Sequence, residues 1–196
     1  HDFAFGDFTP TLKMGGYTEY RTREYNTRLF IYSWKNGLPS NYRVMNVPDE
    51  LMQDKNYGED KLYLLEQVDW RNNYEGNNML GAGYAGVNLP FGKWNIYAGV
   101  RFEHSRMELI SNTQKNEKSP TSVYYTYDDF FPSLNAAYRL NEQHQFRLSY
   151  GRTVNRPEFR EVSSSVYYDF DLASNVQGNY DLKAAYIDNI DLGYEY

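Results

Sequence analysis

The residue types that carry most enzyme chemistry occur in this sequence, but not in spacings that let them act together. His1, His104 and His144 fall on three separate elements and lack the short paired spacing of a metal site. Cysteine is absent, which removes thiolate nucleophiles, thiolate ligands and disulfides at once. Asp128/Asp129 and Asp169/Asp171 would suit acid–base work or Ca²⁺ ligation. The EF-hand spacing is missing, however, and both pairs read as solvated loop carboxylates. No G-x-S-x-G, phosphate-loop or dinucleotide fingerprint occurs. Gly81-Ala82-Gly83-Tyr84-Ala85-Gly86 is Gly-rich, but it sits inside an alternating strand with no helix after it, so its small residues read as room for close contact. We expect no enzyme activity, no metal and no cofactor.

What remains for binding is aromatic and ionic. Tyr57, Tyr63, Trp70 and Tyr74 fall in one long connection. Tyr124, Tyr125 and Tyr127 flank a second, and Tyr167, Tyr168 and Phe170 lie in a third. Such rings stack on sugars, haem or planar chelates; the competing reading is loop packing or an aromatic belt at a membrane interface. Arg101 with Glu103, and Arg147 with Asp191 or Glu195, share strand faces and read as a ladder of mutually satisfied charges. In Asn155-Arg156-Pro157 the proline ends ladder pairing and the arginine reaches a carboxylate, a structural role. Gly178-Asn179 is a turn signal.

Period-two strands must position these residues. Leu12, Met14, Gly16, Thr18 and Tyr20 share one face, and Lys13, Tyr17, Glu19, Arg21 and Arg23 the other. Trp94, Ile96, Ala98, Val100 and Phe102 alternate with Asn95, Tyr97, Gly99, Arg101 and Glu103. We predict strands at about 10–34, 77–89, 93–109, 124–140, 144–154 and 186–196, with long loops at 35–76, 111–123 and 155–185. A short helix is expected to start at Val47-Pro48-Asp49-Glu50, and Lys61–Trp70 reads as a short strand or helical turn. The connections alternate long and short, which places successive turns on two chemically different sides. The fold class is therefore all-β: an antiparallel up-and-down meander, forming a segment of a large transmembrane β-barrel with long extracellular loops and short periplasmic turns.

Composition agrees. The 196 residues include 21 Tyr and 11 Phe, yet mean hydropathy is -0.79. No run of eighteen apolar residues exists, so no transmembrane helix is expected; a barrel needs none, because its strands alternate. A net charge of -6 without a basic cluster argues against nucleic acid. His1-Asp2-Phe3 does not open a signal peptide, so an exported form would be mature or excised.

RLSYGRTVNRPEFREVSSSVYYDFD (Arg147–Asp171) and QGNYDLKAAYIDNIDLGYEY (Gln177–Tyr196) resemble the barrel of TonB-dependent outer-membrane receptors, especially the Bacteroidetes type. Gly99-Val100-Arg101-Phe102-Glu103 is similar to the G-x-R-x-E of an ascending barrel strand of that family, and Phe131-Pro132-Ser133-Leu134 to the stretch that precedes the descending one. Tyr180 and Ala184-Ala185 depart from its common pattern and leave the subfamily open. The resemblance implies a barrel of about twenty-two strands with an N-terminal plug. It also implies import of a metal chelate, haem, cobalamin, glycan or peptide, energised through TonB. The implied partners are outer-membrane lipid, the TonB complex through a plug that this stretch lacks, and a small-molecule or glycan ligand. About six strands are too few to close, since the smallest membrane barrels use eight. The chain is therefore expected to be a fragment that self-associates when isolated, with Tyr196 a cut rather than an end. The alternatives are a porin-like or structural barrel without TonB coupling, a soluble β-sheet binding module, and an outer-membrane hydrolase. The expected location is the bacterial outer membrane.

Overall fold

Strict alternation along extended segments, with turn residues between them, builds one long-stranded sheet. A computed structural model describes residues 8–35, 52–58 and 60–196. In chain order the strands are β1 (Thr11–Tyr25), β2 (Leu29–Trp34), β3 (Leu62–Gln67), β4 (Tyr74–Phe91), β5 (Trp94–Asn112), β6 (Pro120–Arg139), β7 (Gln145–Asn155), β8 (Val166–Asp169), β9 (Ser174–Gln177) and β10 (Ala185–Glu195). Six of them form the main sheet in the order β1-β4-β5-β6-β7-β10, antiparallel throughout. Hairpins β2–β3 and β8–β9 are excursions from it, at the same end of the sheet. The sheet does not close: β1 and β10 are its edges.

The turns at the other end are tight. Gly92-Lys93 joins β4 to β5, with Gly92 at φ 55° and Phe91 opposite Trp94, the glycine-first pattern of a two-residue hairpin. Between β6 and β7, the Asn141 side chain accepts from the backbone N–H groups of Gln143 and His144 at 3.0 and 2.9 Å.

Register makes the two faces chemically distinct. Ile96, Ala98, Val100 and Phe102 align with Leu89, Val87, Ala85 and Gly83 on β4 and with Ala136, Leu134, Pro132 and Phe130 on β6. Aromatic contacts bound this apolar band. At the tight-turn end Trp94 meets Tyr138 at 4.6 Å and Phe146 meets Tyr194 at 5.1 Å; at the other, Phe102 meets Phe130 at 5.0 Å. One step beyond, the same face turns polar, with His104 against Asp128 at 2.7 Å. The ten residue steps from Trp94 to His104 are roughly 34 Å of strand, or roughly 26 Å of height at the usual tilt of a membrane barrel. That matches the apolar band of about 25 Å such barrels present to lipid.

Four features differ from the sequence reading. The strand expected over 10–34 is two strands in different sheets, because pairing breaks at Asn26–Arg28, where the Thr27 N–H turns to the Asn73 side chain at 2.8 Å. The loop expected at 35–76 ends early, because β4 already begins at Tyr74 after a 3-10 turn at Trp70–Asn72; within it Lys61–Trp70, read as a short strand or helical turn, supplies the short strand β3, and residues 36–51, including the helix expected near Val47, lie outside the described residues. The second loop shrinks to 113–119, since β5 and β6 pair out to Asn112 and Pro120. The third, expected over 155–185, holds β8 and β9 and is a packed element.

Candidate functional site

The polar face of the sheet carries the candidate site, and a proline creates the opening for it. β6 pairs with β5 along its whole length, but its pairing with β7 stops at Ser133 opposite Gly151. The next residue, Pro132, has no N–H to continue a ladder. Beyond that point β7 pairs only with β10, and side chains replace the main-chain bonds. Arg156, just past the end of β7, donates through Nη1 to Glu103 Oε2 at 2.7 Å and through Nη2 to Asp129 Oδ2 at 2.8 Å. Tyr186 of β10 donates to the other oxygen of Asp129 at 2.7 Å, and Arg101 Nε donates to Glu103 Oε1 at 2.7 Å. Two arginines thus meet two carboxylates, with the Tyr17, Tyr127 and Phe131 rings beneath the guanidinium groups. Asp129, expected as a solvated carboxylate, is instead buried in this network because a charge held away from water needs its partners.

The chain that follows Arg156 folds onto the same face. Phe159 and Val162 pack with Tyr74, Met107 and Leu109 into the one buried apolar cluster among the described residues. Tyr25, Tyr125 and Tyr180 surround it. Tyr25, Tyr74, Met107, Leu109 and Tyr125 all have the strand parity of Arg101 and Glu103, so the cluster sits on the polar side of the sheet, beyond the ion network. Burying each of the larger side chains contributes roughly 1.5–3 kcal/mol toward holding the segment on the sheet. Ser164 Oγ lies 3.0 Å from the Arg71 carbonyl and 3.1 Å from that of Asn112. The N–H of Val166 donates to Asn72 Oδ1 at 3.0 Å. These contacts tie the segment to the 3-10 turn after β3. Asp69 caps that turn, and the Arg71 guanidinium bound to it at 2.8 Å holds its carboxyl below the usual aspartate range.

The aromatic candidates do not converge. Tyr74, 2% exposed and stacked on Tyr25 at 5.2 Å, serves packing and offers no face to a ligand. Tyr125 is also a fastener, its hydroxyl donating to the Tyr180 carbonyl at 2.8 Å. Tyr57 and Tyr63 belong to the β2–β3 excursion, Tyr57 edge-on to Tyr32. Trp70 lies under Lys118 at 4.6 Å, and Tyr127 is under Arg156. Tyr167 is covered by Arg160 at 3.3 Å, while Tyr168 stands exposed beside Phe170. In the charge ladder Arg101 does meet Glu103, and Arg147 selects Glu195 at 3.0 Å; Asp191 faces Ser149 instead. Asn155 ends β7, Pro157 leads into the folded segment, and Asn179 donates its N–H to the Glu161 carbonyl at 2.7 Å. A Cβ on Gly178 would meet the Arg160 and Glu161 carbonyls at 2.7 and 2.8 Å.

Sequence reasoning missed Phe159, Val162, Met107 and Leu109 as a unit. The available signal was a swap of faces along β5: up to Phe102 the even-numbered residues are apolar, but after His104 the odd-numbered Met107 and Leu109 take over while Arg106 and Glu108 face the other way.

A family model described as an outer membrane protein beta-barrel family matches residues 45–196. No curated protein matches the chain.

Proposed function

The chain belongs to the outer membrane protein beta-barrel family and lies in the bacterial outer membrane, and on that premise we propose that it forms part of the barrel of a TonB-dependent receptor. Such a receptor imports a nutrient: a metal chelate, haem, cobalamin, a glycan or a peptide. The apolar band faces lipid, and the Arg101–Glu103–Arg156–Asp129 network faces the lumen. The observation that carries the reading is the pairing of two unlike ends. Tight turns stand at one side, while the other bears long excursions, one of them folded onto the lumenal wall. The motif Arg147–Asp171 and its resemblance to such receptors supports import over simple passage. The sheet also has open edges with outward-facing apolar side chains, Met14 on β1 and Leu192 on β10, which suits a wall continued on both sides. No catalytic step is proposed; binding belongs to the outer excursions and upper lumen. The test is uptake by cells that depend on the full-length protein for one such nutrient. Loss of TonB, or collapse of the proton gradient, is expected to abolish uptake. Uptake that continues at the same rate without TonB would show a passive pore and sink the proposal.

A further inference from the structure

We propose that the segment from Arg156 to Tyr180 is a fixed constriction of the lumen, which decides by size which solutes reach the channel wall beneath it. The inference rests on the barrel and its two faces, not on coupling to TonB.

Position is the first argument. A loop that merely crowned the rim would touch strand ends. Phe159 and Val162 instead pack against Met107 and Leu109, whose side chains point to the lumenal side of β5. The segment therefore lies inside the wall, above Arg101 and Glu103.

The second argument is that the wall is shaped to receive it. Gly76 is on the lumenal face of β4, and a Cβ there would run into the Phe159 ring, with Cε1 at 2.6 Å. Only glycine leaves room for that ring. At the far end of the segment Gly178 is pressed against the Arg160 and Glu161 carbonyls in the same way. The first close approach fits the wall to the segment, and the second fixes the segment's own fold, so the ring is presented to a wall that has room for it.

Fastening is the third. Arg156 holds the start through two ion pairs. Ser164 holds the middle through the Arg71 and Asn112 carbonyls. Tyr180 holds the end: its hydroxyl lies 3.0 Å from Ser111 Oγ, and its carbonyl accepts from Tyr125. A ligand-closing lid would be expected at the low-stability end of the molecule, with few buried contacts. This segment has the opposite character. Beneath its start a cavity of about 210 Å³ remains between it and the wall, lined by Asn78, Ser105, Tyr127 and Arg156. The exposed Glu158 also lines that space.

The test uses the absence of cysteine from this sequence. Ala82→Cys puts one thiol on the lumenal wall opposite Glu103, below the segment. In the full-length protein, with any cysteine elsewhere replaced, maleimides of increasing polymer size are added from outside. Small reagents are expected to label and large ones to be excluded. Adding Phe159→Ala and Val162→Ala releases the segment. This should move the size cut-off upward and raise labelling by the large reagents roughly 100-fold or more, the scale expected for removing a buried aromatic anchor. Heat-modifiable gel migration confirms that the barrel is folded. If the double change prevents insertion, Gly76→Ala pushes on the ring with a single methyl and should shift the cut-off in the same direction. An unchanged cut-off in a folded release variant overturns the proposal. No step requires TonB or a known nutrient, so this result and the import test can fail separately.

Discussion

Arg156→Ala is the most informative single change, because it removes one side chain from two carboxylates at once. Arg156 contacts Glu103 at 2.7 Å and Asp129 at 2.8 Å, and the three side chains retain 16%, 12% and 11% exposure. Breaking a fully buried pair by deleting one partner costs about 3–5 kcal/mol, because a charge is left unpaired. Residual exposure lets water recover part of that, and Arg101 and Tyr186 still hold one oxygen of each carboxylate, so we expect a loss of about 2–3 kcal/mol. Arg156→Lys should recover only part, since an ammonium group cannot fork to two carboxylates as a guanidinium does. The assay is urea unfolding of the folded protein in lipid vesicles, followed by tryptophan fluorescence. Asp129→Asn in the Arg156→Ala background closes a double-mutant cycle, and we expect a coupling of about 1 kcal/mol or more, with the second change partly rescuing the first. A loss below about 0.5 kcal/mol together with an additive cycle would refute the idea that this arginine bridges the gap left by Pro132.

Other outcomes follow from the same geometry. Val100→Arg, in the middle of the apolar band, should cost roughly 2–4 kcal/mol in vesicle refolding, whereas His104→Arg, at its rim, should cost roughly 0–1 kcal/mol; equal costs would mean the band is misplaced. Acid should loosen the folded segment through Asp69. Its folded pKa is depressed by Arg71, so its contribution is present above the ordinary value of 3.8 and is lost as pH falls through the lower folded value. Faster hydrogen exchange of the Val166 amide below that pH is the readout, and Asp69→Asn should remove the dependence. The isolated stretch should self-associate through its open edge strands β1 and β10; monodisperse monomer by sedimentation would contradict this.

How much of this was legible depends on whether local pattern or distant packing decided the outcome. The strand faces were readable because alternation is a local property: Ile96, Ala98, Val100 and Phe102 announce their side without reference to any partner. The tight turns were readable for the same reason, since Gly92 supplies a backbone angle the hairpin requires. The break after Tyr25 was hidden because it depends on Asn73, 46 residues away from Thr27, capturing an N–H. The charge ladder was half visible. Arg101 and Glu103 are two apart on one strand, but Arg147 stands opposite Gly193 with an acid two residues to either side, and the choice of Glu195 over Asp191 is made by side-chain geometry that no local pattern encodes. The aromatic residues were least legible as a site. A tyrosine in a polar connection looks the same whether it is buried like Tyr74 or exposed like Tyr168.

The swap of faces along β5 ties these observations together. Within the bilayer the outward side must be apolar, because lipid cannot hydrate a charge, and the inward side is free to carry Arg101 and Glu103. Above the bilayer that constraint ends, and the apolar residues Met107 and Leu109 point inward. An inward apolar patch over water would be costly unless something covered it. The covering element is the chain that follows β7, aimed there by Arg156 and admitted by Gly76. The Pro132 break then has a purpose in the same design, because it parts β6 from β7 at the level where Arg156 must reach between them to Asp129. Membrane crossing fixes the lower half of the sheet, and the upper half, released from that demand, is shaped around the segment it holds inside the lumen.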